Sequence, residues 1–275
     1  MGAFVATAAA LALMLTPAAA LARRPTWDAV SSEVACLGNH NVNPLLRANH
    51  ANVMRLILSP QEAPAGVGIV CVQDAYAAGF RVYISFQFNN RLSPSQVAAY
   101  MARVLPAYAP YVWAVGVGNE QDLSMPTASG QGTVALTRGG RSIGQNYRAV
   151  WNAVEPVLLK LVPRAVRVYG EFSPWGFAAI QQGFTHGRPP GVQALAVHCY
   201  HTKIGGLLQV PQEAAWAGSK HLPLWCSEMG PAFPTRTRPN WAVPDSWRSW
   251  NALLAKVVKK SPDLKMWGLY YDPAL

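Results

Sequence analysis

The residues best suited to chemistry are two glutamates, each closing an apolar run. Tyr111–Asp122 reads YVWAVGVGNEQD and carries no charge before Asn119-Glu120. Leu222–Gly230 reads LPLWCSEMG and reaches Ser227-Glu228 in the same way. An uncharged run closed by polar residues has the pattern of a buried parallel strand, whose polar groups emerge at its carboxyl end. A carboxyl at the rim of a water-poor pocket can keep a proton near neutral pH, whereas one beside positive charge stays ionised. Two carboxyls in such different surroundings could divide the roles of proton donor and charged partner. Other polar groups share the setting: Arg55 within NVMRLIL, Glu171 after AVRVYG, His198 and Tyr200 ending VQALAVHCY, and Trp267 within KMWGLY.

The elements that must position these groups alternate regularly. Strands are expected near Glu33–Leu37 and at Asn52–Leu58, Arg81–Phe88, Val112–Gly118, Ala165–Tyr169, Val192–Tyr200, Leu222–Cys226 and Lys265–Tyr270. Helices are expected between them: Asn43 to Asn49, Gly66–Gly79, Gln96–Leu105, Gln145–Val162, near Phe177–Gln182, Gln212–Trp216 and Ser246–Lys260. In Gln145–Val162 the apolar Val150, Val154, Val157, Leu158 and Leu161 recur at helical spacing. Ser93-Pro94 reads as a cap and first turn. Eight strands alternating with helices imply a parallel sheet with crossover helices, and the length suits a (β/α)8 barrel. A doubly wound open sheet is the competing arrangement. Neither a Gly-x-Gly-x-x-Gly after the first strand nor a P-loop is present, so no nucleotide cofactor is expected. With Leu275 so close to the last strand, the eighth helix is expected to be incomplete.

Residues 1–22 are uncharged and end in Ala20-Leu21-Ala22 before Arg23-Arg24, the pattern of a secretory signal peptide. An uncleaved anchor is the alternative, because the run nearly reaches membrane-spanning length. Residues 23–275 then form one exported domain. The chain carries a formal net charge of +10, which suits association with anionic polymers or surfaces. Its Lys and Arg are scattered along the sequence. The densest cluster, Lys256, Lys259 and Lys260, reads as the solvated face of an amphipathic helix, so no nucleic-acid partner is expected. Four cysteines in an exported chain permit disulfides. Cys36–Cys71 is the stronger candidate pair, while Cys199 and Cys226 read as small residues buried in apolar strands. Neither a Cys/His ligand spacing nor the lone His198-x-x-His201 pair suggests a metal.

Taken in strand order, these groups resemble the retaining glycoside hydrolases of the large (β/α)8 superfamily whose catalytic glutamates follow strands four and seven. The resemblance rests on Asn-Glu in GNE at the fourth strand, His-x-Tyr in HCY at the sixth and WCSEMG at the seventh. MWG at the eighth strand and the Arg of VMRL on the second complete it. It covers nearly all of residues 23–275. It implies double displacement on a β-linked glycan, with Glu120 as acid and base and Glu228 as nucleophile. Arg55 and Tyr200 would keep Glu228 ionised, Asn119 would bind the sugar 2-hydroxyl, and Trp267 would stack under the ring. Trp241 and Trp175 would extend that stacking along a polymer. His198 belongs either to the site or to the core, and Glu171 to substrate contact or structure rather than catalysis. The third strand ends in Gln87-Phe88-Asn89-Asn90, without the His that some relatives carry there.

Two other classes compete. A glycan-binding barrel without catalysis is one, although such proteins usually lose a carboxylate. A serine esterase is the other, since Gly140-Arg141-Ser142-Ile143-Gly144 matches G-x-S-x-G. That motif needs a buried strand before its serine, and Val134–Thr137 followed by Arg138 and two glycines makes a poor one.

Overall fold

The computed structural model describes residues 27–31, 36, 41–60, 62–123, 136, 139–202, 205–229 and 247–270. Eight parallel strands close into a barrel in sequence order. They are β1 (Trp27–Ser31), β2 (Val53–Leu58), β3 (Arg81–Phe86), β4 (Val112–Val117), β5 (Val166–Phe172), β6 (Ala194–His198), β7 (Leu224–Met229) and β8 (Leu264–Tyr270). Each of the first seven is followed by a helix: α1 (Asn43–Ala48), α2 (Ile69–Ala77), α3 (Pro94–Tyr108), α4 (Ile143–Leu161), α5 (Phe177–Gly183), α6 (Val210–Ser219) and α7 (Trp247–Lys260). The fold is the expected (β/α)8 barrel. β8 pairs directly with β1, Met266–Tyr270 lying beside Trp27–Ser31, so the sheet closes through the strands themselves.

The first strand departs from the sequence reading. It was expected near Glu33–Leu37, most of which lies outside the described residues; Cys36 sits in a helical turn, and Trp27–Ser31 forms β1. The reason is two-sided burial. Ala29 faces the barrel interior and Val30 the helix layer, so this short segment is anchored on both sides.

The barrel is filled at its amino end by large side chains. Trp113 and Trp225 stack with ring centroids 5.4 Å apart, Trp27 lies 4.8 Å from Trp113, and Tyr83 meets Trp225 edge-on. The Arg81 guanidinium lies 4.1 Å above the Trp27 ring. Such a packed floor makes the interior a core rather than a pore, and leaves the carboxyl end of the strands for polar groups. Outside the strands, a second apolar layer under the helices includes fully buried Trp151, Tyr108 and Leu46. Each large apolar side chain so buried contributes about 1.5–3 kcal/mol.

Serines start two of the longest helices. Ser93 and Ser142 each accept a hydrogen bond from the backbone N–H three residues on, and Gln96 and Gln145 reach back to the serine N–H groups. Both are capping boxes.

Candidate active site

Arg55 is the hub. β2 carries it in the middle of an apolar strand and buries it completely. A buried guanidinium requires carboxylate partners to offset lost hydration. Its Nη1 donates to Glu228 Oε1 at 2.8 Å, and its Nη2 donates to Glu171 Oε2 at 2.7 Å and to Asn119 Oδ1 at 3.2 Å. One cation thereby links β2 to the ends of β4, β5 and β7.

Glu171 lies within β5 rather than after it, fully buried. It also accepts hydrogen bonds from Ser85 Oγ at 3.0 Å and Ser227 Oγ at 2.9 Å. β4 makes room for it with a glycine: a Cβ on Gly116 would lie 2.8 Å from Glu171 Oε1. The backbone preceding it is irregular, with Gly170 at φ +114° and a register shift between β5 and β6. That bulge turns the Glu171 side chain inward.

Glu120 and Glu171 both occupy the left-handed region, at φ +51° and +61°. A non-glycine residue there carries backbone strain of order 1–3 kcal/mol. The two are tied together, the Glu120 N–H donating to the Glu171 carbonyl at 2.7 Å. Further bonds hold the same loop. Gln121 Nε2 donates to the Phe88 carbonyl at 2.8 Å, and Asn90 Nδ2 to the Gln121 carbonyl at 3.1 Å. Asp122 accepts from the Ser173 N–H at 2.9 Å.

His198 ends β6 and is buried beneath both glutamates. Its Nδ1 lies 3.0 Å from Glu120 Oε1 and 3.3 Å from Glu228 Oε2. The two carboxylate oxygens can therefore be no further apart than those distances laid end to end. Burial alone would lower the His198 pKa, but the charge of Glu228 and the contacts with Glu120 and Glu171 raise it to about 10.

The two glutamates sit in different surroundings. The Glu228 side chain is 6% exposed, against 18% for Glu120. Burial pushes the Glu228 pKa up, yet the charges of His198 and Arg55 outweigh it and hold the carboxyl below its ordinary 4.5. Tyr200 helps, its hydroxyl donating to Glu228 Oε2 at 2.8 Å. Both oxygens of Glu228 are thus occupied by donors, one from β2 across the barrel and one from just beyond β6.

The structure brings Arg55, Asn119, Glu120, His198, Tyr200 and Glu228 together, and it adds Ser85, Glu171 and Ser227. It does not bring Trp267 to them. Met266 points into the barrel, so the next residue of β8 turns outward, and Trp267 packs against the apolar layer on the helix side. Trp175 is 42% exposed beyond the end of β5, and Trp241 lies outside the described residues. Ser142 caps α4 with ordinary extended backbone at φ −66° and ψ 160°, not the strained turn of a nucleophile elbow, and most of Val134–Thr137 lies outside the described residues. Cys199 and Cys226, read as merely buried, form a disulfide between β6 and β7, and Cys36–Cys71 is bridged as well. Residue type misled for Cys199 and Cys226, because only the pairing of β6 with β7 puts them side by side.

No protein-family model matches the chain, and no curated protein matches its sequence. Solved structures do. A double mutant of the endo-β-1,4-mannanase of Cellulomonas fimi superposes with a TM-score of 0.61 at 12% identity, over 96% of this chain and 69% of that one. A psychrophilic family 10 endo-β-1,4-xylanase gives 0.60 at 12% identity, over 90% and 86%. An endocellulase from Pyrococcus horikoshii, solved with cellotetraose, gives 0.60 at 11%, over 89% and 84%. The fold is the (β/α)8 barrel that these solved enzymes also have. At these identities the likeness establishes architecture, and the chemistry rests on the site itself.

Proposed function

We propose that the protein is a secreted, retaining glycoside hydrolase acting on a β-linked glycan, with Glu228 as nucleophile and Glu120 as acid and base. The observation that carries this reading is the shared His198 nitrogen. With Glu120 Oε1 3.0 Å and Glu228 Oε2 3.3 Å from one nitrogen, the two carboxylates are held close, which favours the ~5–5.5 Å spacing of a retaining enzyme over the ~6.5–9.5 Å spacing that admits water in an inverting one. Glu228, held ionised by Arg55, His198 and Tyr200, attacks the anomeric carbon as the glycosidic bond breaks. Glu120 gives its proton to the departing oxygen. A covalent glycosyl ester on Glu228 results. Glu120, now ionised, takes a proton from water, whose oxygen displaces Glu228 and restores the starting state.

Asn119 accepts from Arg55 through Oδ1, which directs its amide nitrogen to donate to the sugar 2-hydroxyl. Trp175, exposed near the mouth, is the remaining described candidate for a stacking position. The neighbours named for mannan, xylan and cellulose activity make β-1,4 glycans the first substrates to offer.

The test is incubation with mannan, xylan and cellulose, following reducing ends and the anomer first released by NMR. Wild type should release sugar with its β configuration retained. Glu228→Gln should fold normally and show no turnover. A 2-deoxy-2-fluoro glycoside of the accepted sugar should leave its mass on the peptide carrying Glu228. Binding of these glycans without cleavage would replace this reading with that of a glycan-binding barrel, and an inverted product would remove Glu228 as nucleophile.

A further inference from the structure

The scattered basic residues of the sequence are gathered by the fold. In a parallel barrel every helix-to-strand connection emerges at the amino end, opposite the glutamates. Six exposed cations occupy those connections over half the rim. Lys160 ends α4 and Arg164 follows it, Arg188 lies between α5 and β6, Lys220 follows α6, and Lys259 and Lys260 end α7. The strands they lead into, β5, β6, β7 and β8, are consecutive neighbours in the barrel. The charges therefore form one continuous crescent.

Acidic groups do little to offset it. Among the described residues of this half-rim, Glu155 and Asp263 are the carboxylates, both half-buried. Glu155 is engaged by Arg167 Nε at 3.9 Å, and Asp263 packs against Gly218. Within the crescent lies an open cavity of about 430 Å³, lined by Arg167, Arg188, Pro189, Pro190 and Gln193. Arg167 Nε donates to the Gly191 carbonyl at 2.9 Å and Arg188 donates to the Val192 carbonyl, so both guanidiniums are fixed in place. Fixed guanidinium forks suit planar carboxylates.

We propose that the amino-terminal rim under β5–β8 is a docking surface for a carboxylated polysaccharide. A polymer of repeating carboxylates spans a crescent of separated cations better than a single small anion does, and the described part of this rim consists of loops and helix ends. Two disulfides suit an oxidising, extracellular compartment, where carboxylated glycans are among the polyanions on offer. Held there, the protein keeps its opposite end open. The surface stands apart from the glycosidase reading, and its test involves no turnover.

The experiment is retention of the purified protein on immobilised polygalacturonate, with neutral α-linked dextran beads as control and with duplex DNA and phosphatidylserine vesicles as competing probes. Wild type should be retained on polygalacturonate at low salt and released as sodium chloride approaches about 0.5 M, where screening shortens to a few ångströms. The variant Lys160→Glu, Arg164→Glu, Lys220→Glu, Lys260→Glu should lose retention at least about tenfold with no change on dextran. If that variant fails to fold, the same four positions changed to Gln should give a smaller loss in the same direction. Three outcomes would overturn the proposal: no retention of wild type, equal retention of the folded variants, or tighter binding to DNA or vesicles at the same salt.

Discussion

Glu228 stays ionised in a nearly dry site only because Arg55, His198 and Tyr200 surround it. Since its folded pKa lies below the ordinary 4.5, the stabilisation of the ionised form is present above the unfolded value and is lost as pH falls through the folded one. The acid limb of kcat/KM should accordingly lie below pH 4.5. Tyr200→Phe removes the 2.8 Å donor, so the limb should move up and kcat/KM should fall roughly ten- to a hundredfold. An unmoved limb would show that Tyr200 does not tune the nucleophile. His198 has the opposite sign. Its charged form stabilises the fold fully below about 6.5, and that contribution is lost as pH rises through about 10. Thermal unfolding followed across pH 8–11 should show Tm falling towards pH 10, with a flatter profile in His198→Gln. Glu120 and Glu228 were legible in the sequence because an ionisable group closing an apolar run is an anomaly. Glu171 was legible as a spare carboxylate but not as the partner of Arg55. Its inward turn depends on a bulge and on an empty space at Gly116, neither of which has a one-dimensional pattern.

The elements divide the labour of holding this cluster. β2 and β5 supply the buried Arg55–Glu171 pair, and β3 and β7 supply the serines that satisfy it. Neutralising Glu171 leaves Arg55 with Glu228 as its carboxylate partner and weakens the buried charge-assisted bonds to Glu171, at about 1.5–3 kcal/mol. Glu171→Gln should lower stability by that order in denaturant melts and reduce kcat with it, whereas an unchanged melt would place the hub elsewhere. α4 has a separate job. Ser142→Ala should cost about 0.5–2 kcal/mol of stability through the lost cap while leaving hydrolysis intact, and a folded but inactive variant would reopen the esterase reading. Most elements could be read in advance because their apolar periods are long. β1 could not, since five residues beside an apolar leader carry too little pattern. Trp267 was misplaced by one position, which in a strand reverses the face.

At the scale of the whole molecule, closure is sequential and local, and two disulfides reinforce it. The Cys199–Cys226 bridge joins β6 to β7 beside both His198 and Glu228. Replacing both cysteines with Ala should lower unfolding free energy by about 2–4 kcal/mol, read by denaturant titration with and without reductant. The barrel class followed from the strand–helix rhythm, but the gathering of scattered lysines and arginines at one end required the topology. The left-handed backbone of Glu120 bears on the protein's ancestry. Glycine or asparagine would sit at that φ with less strain, so the backbone itself favours losing the carboxyl proposed as acid and base. A descendant relieved of hydrolysis would gain stability by the very change that silenced it. On the proposed function, selection for turnover would oppose that drift.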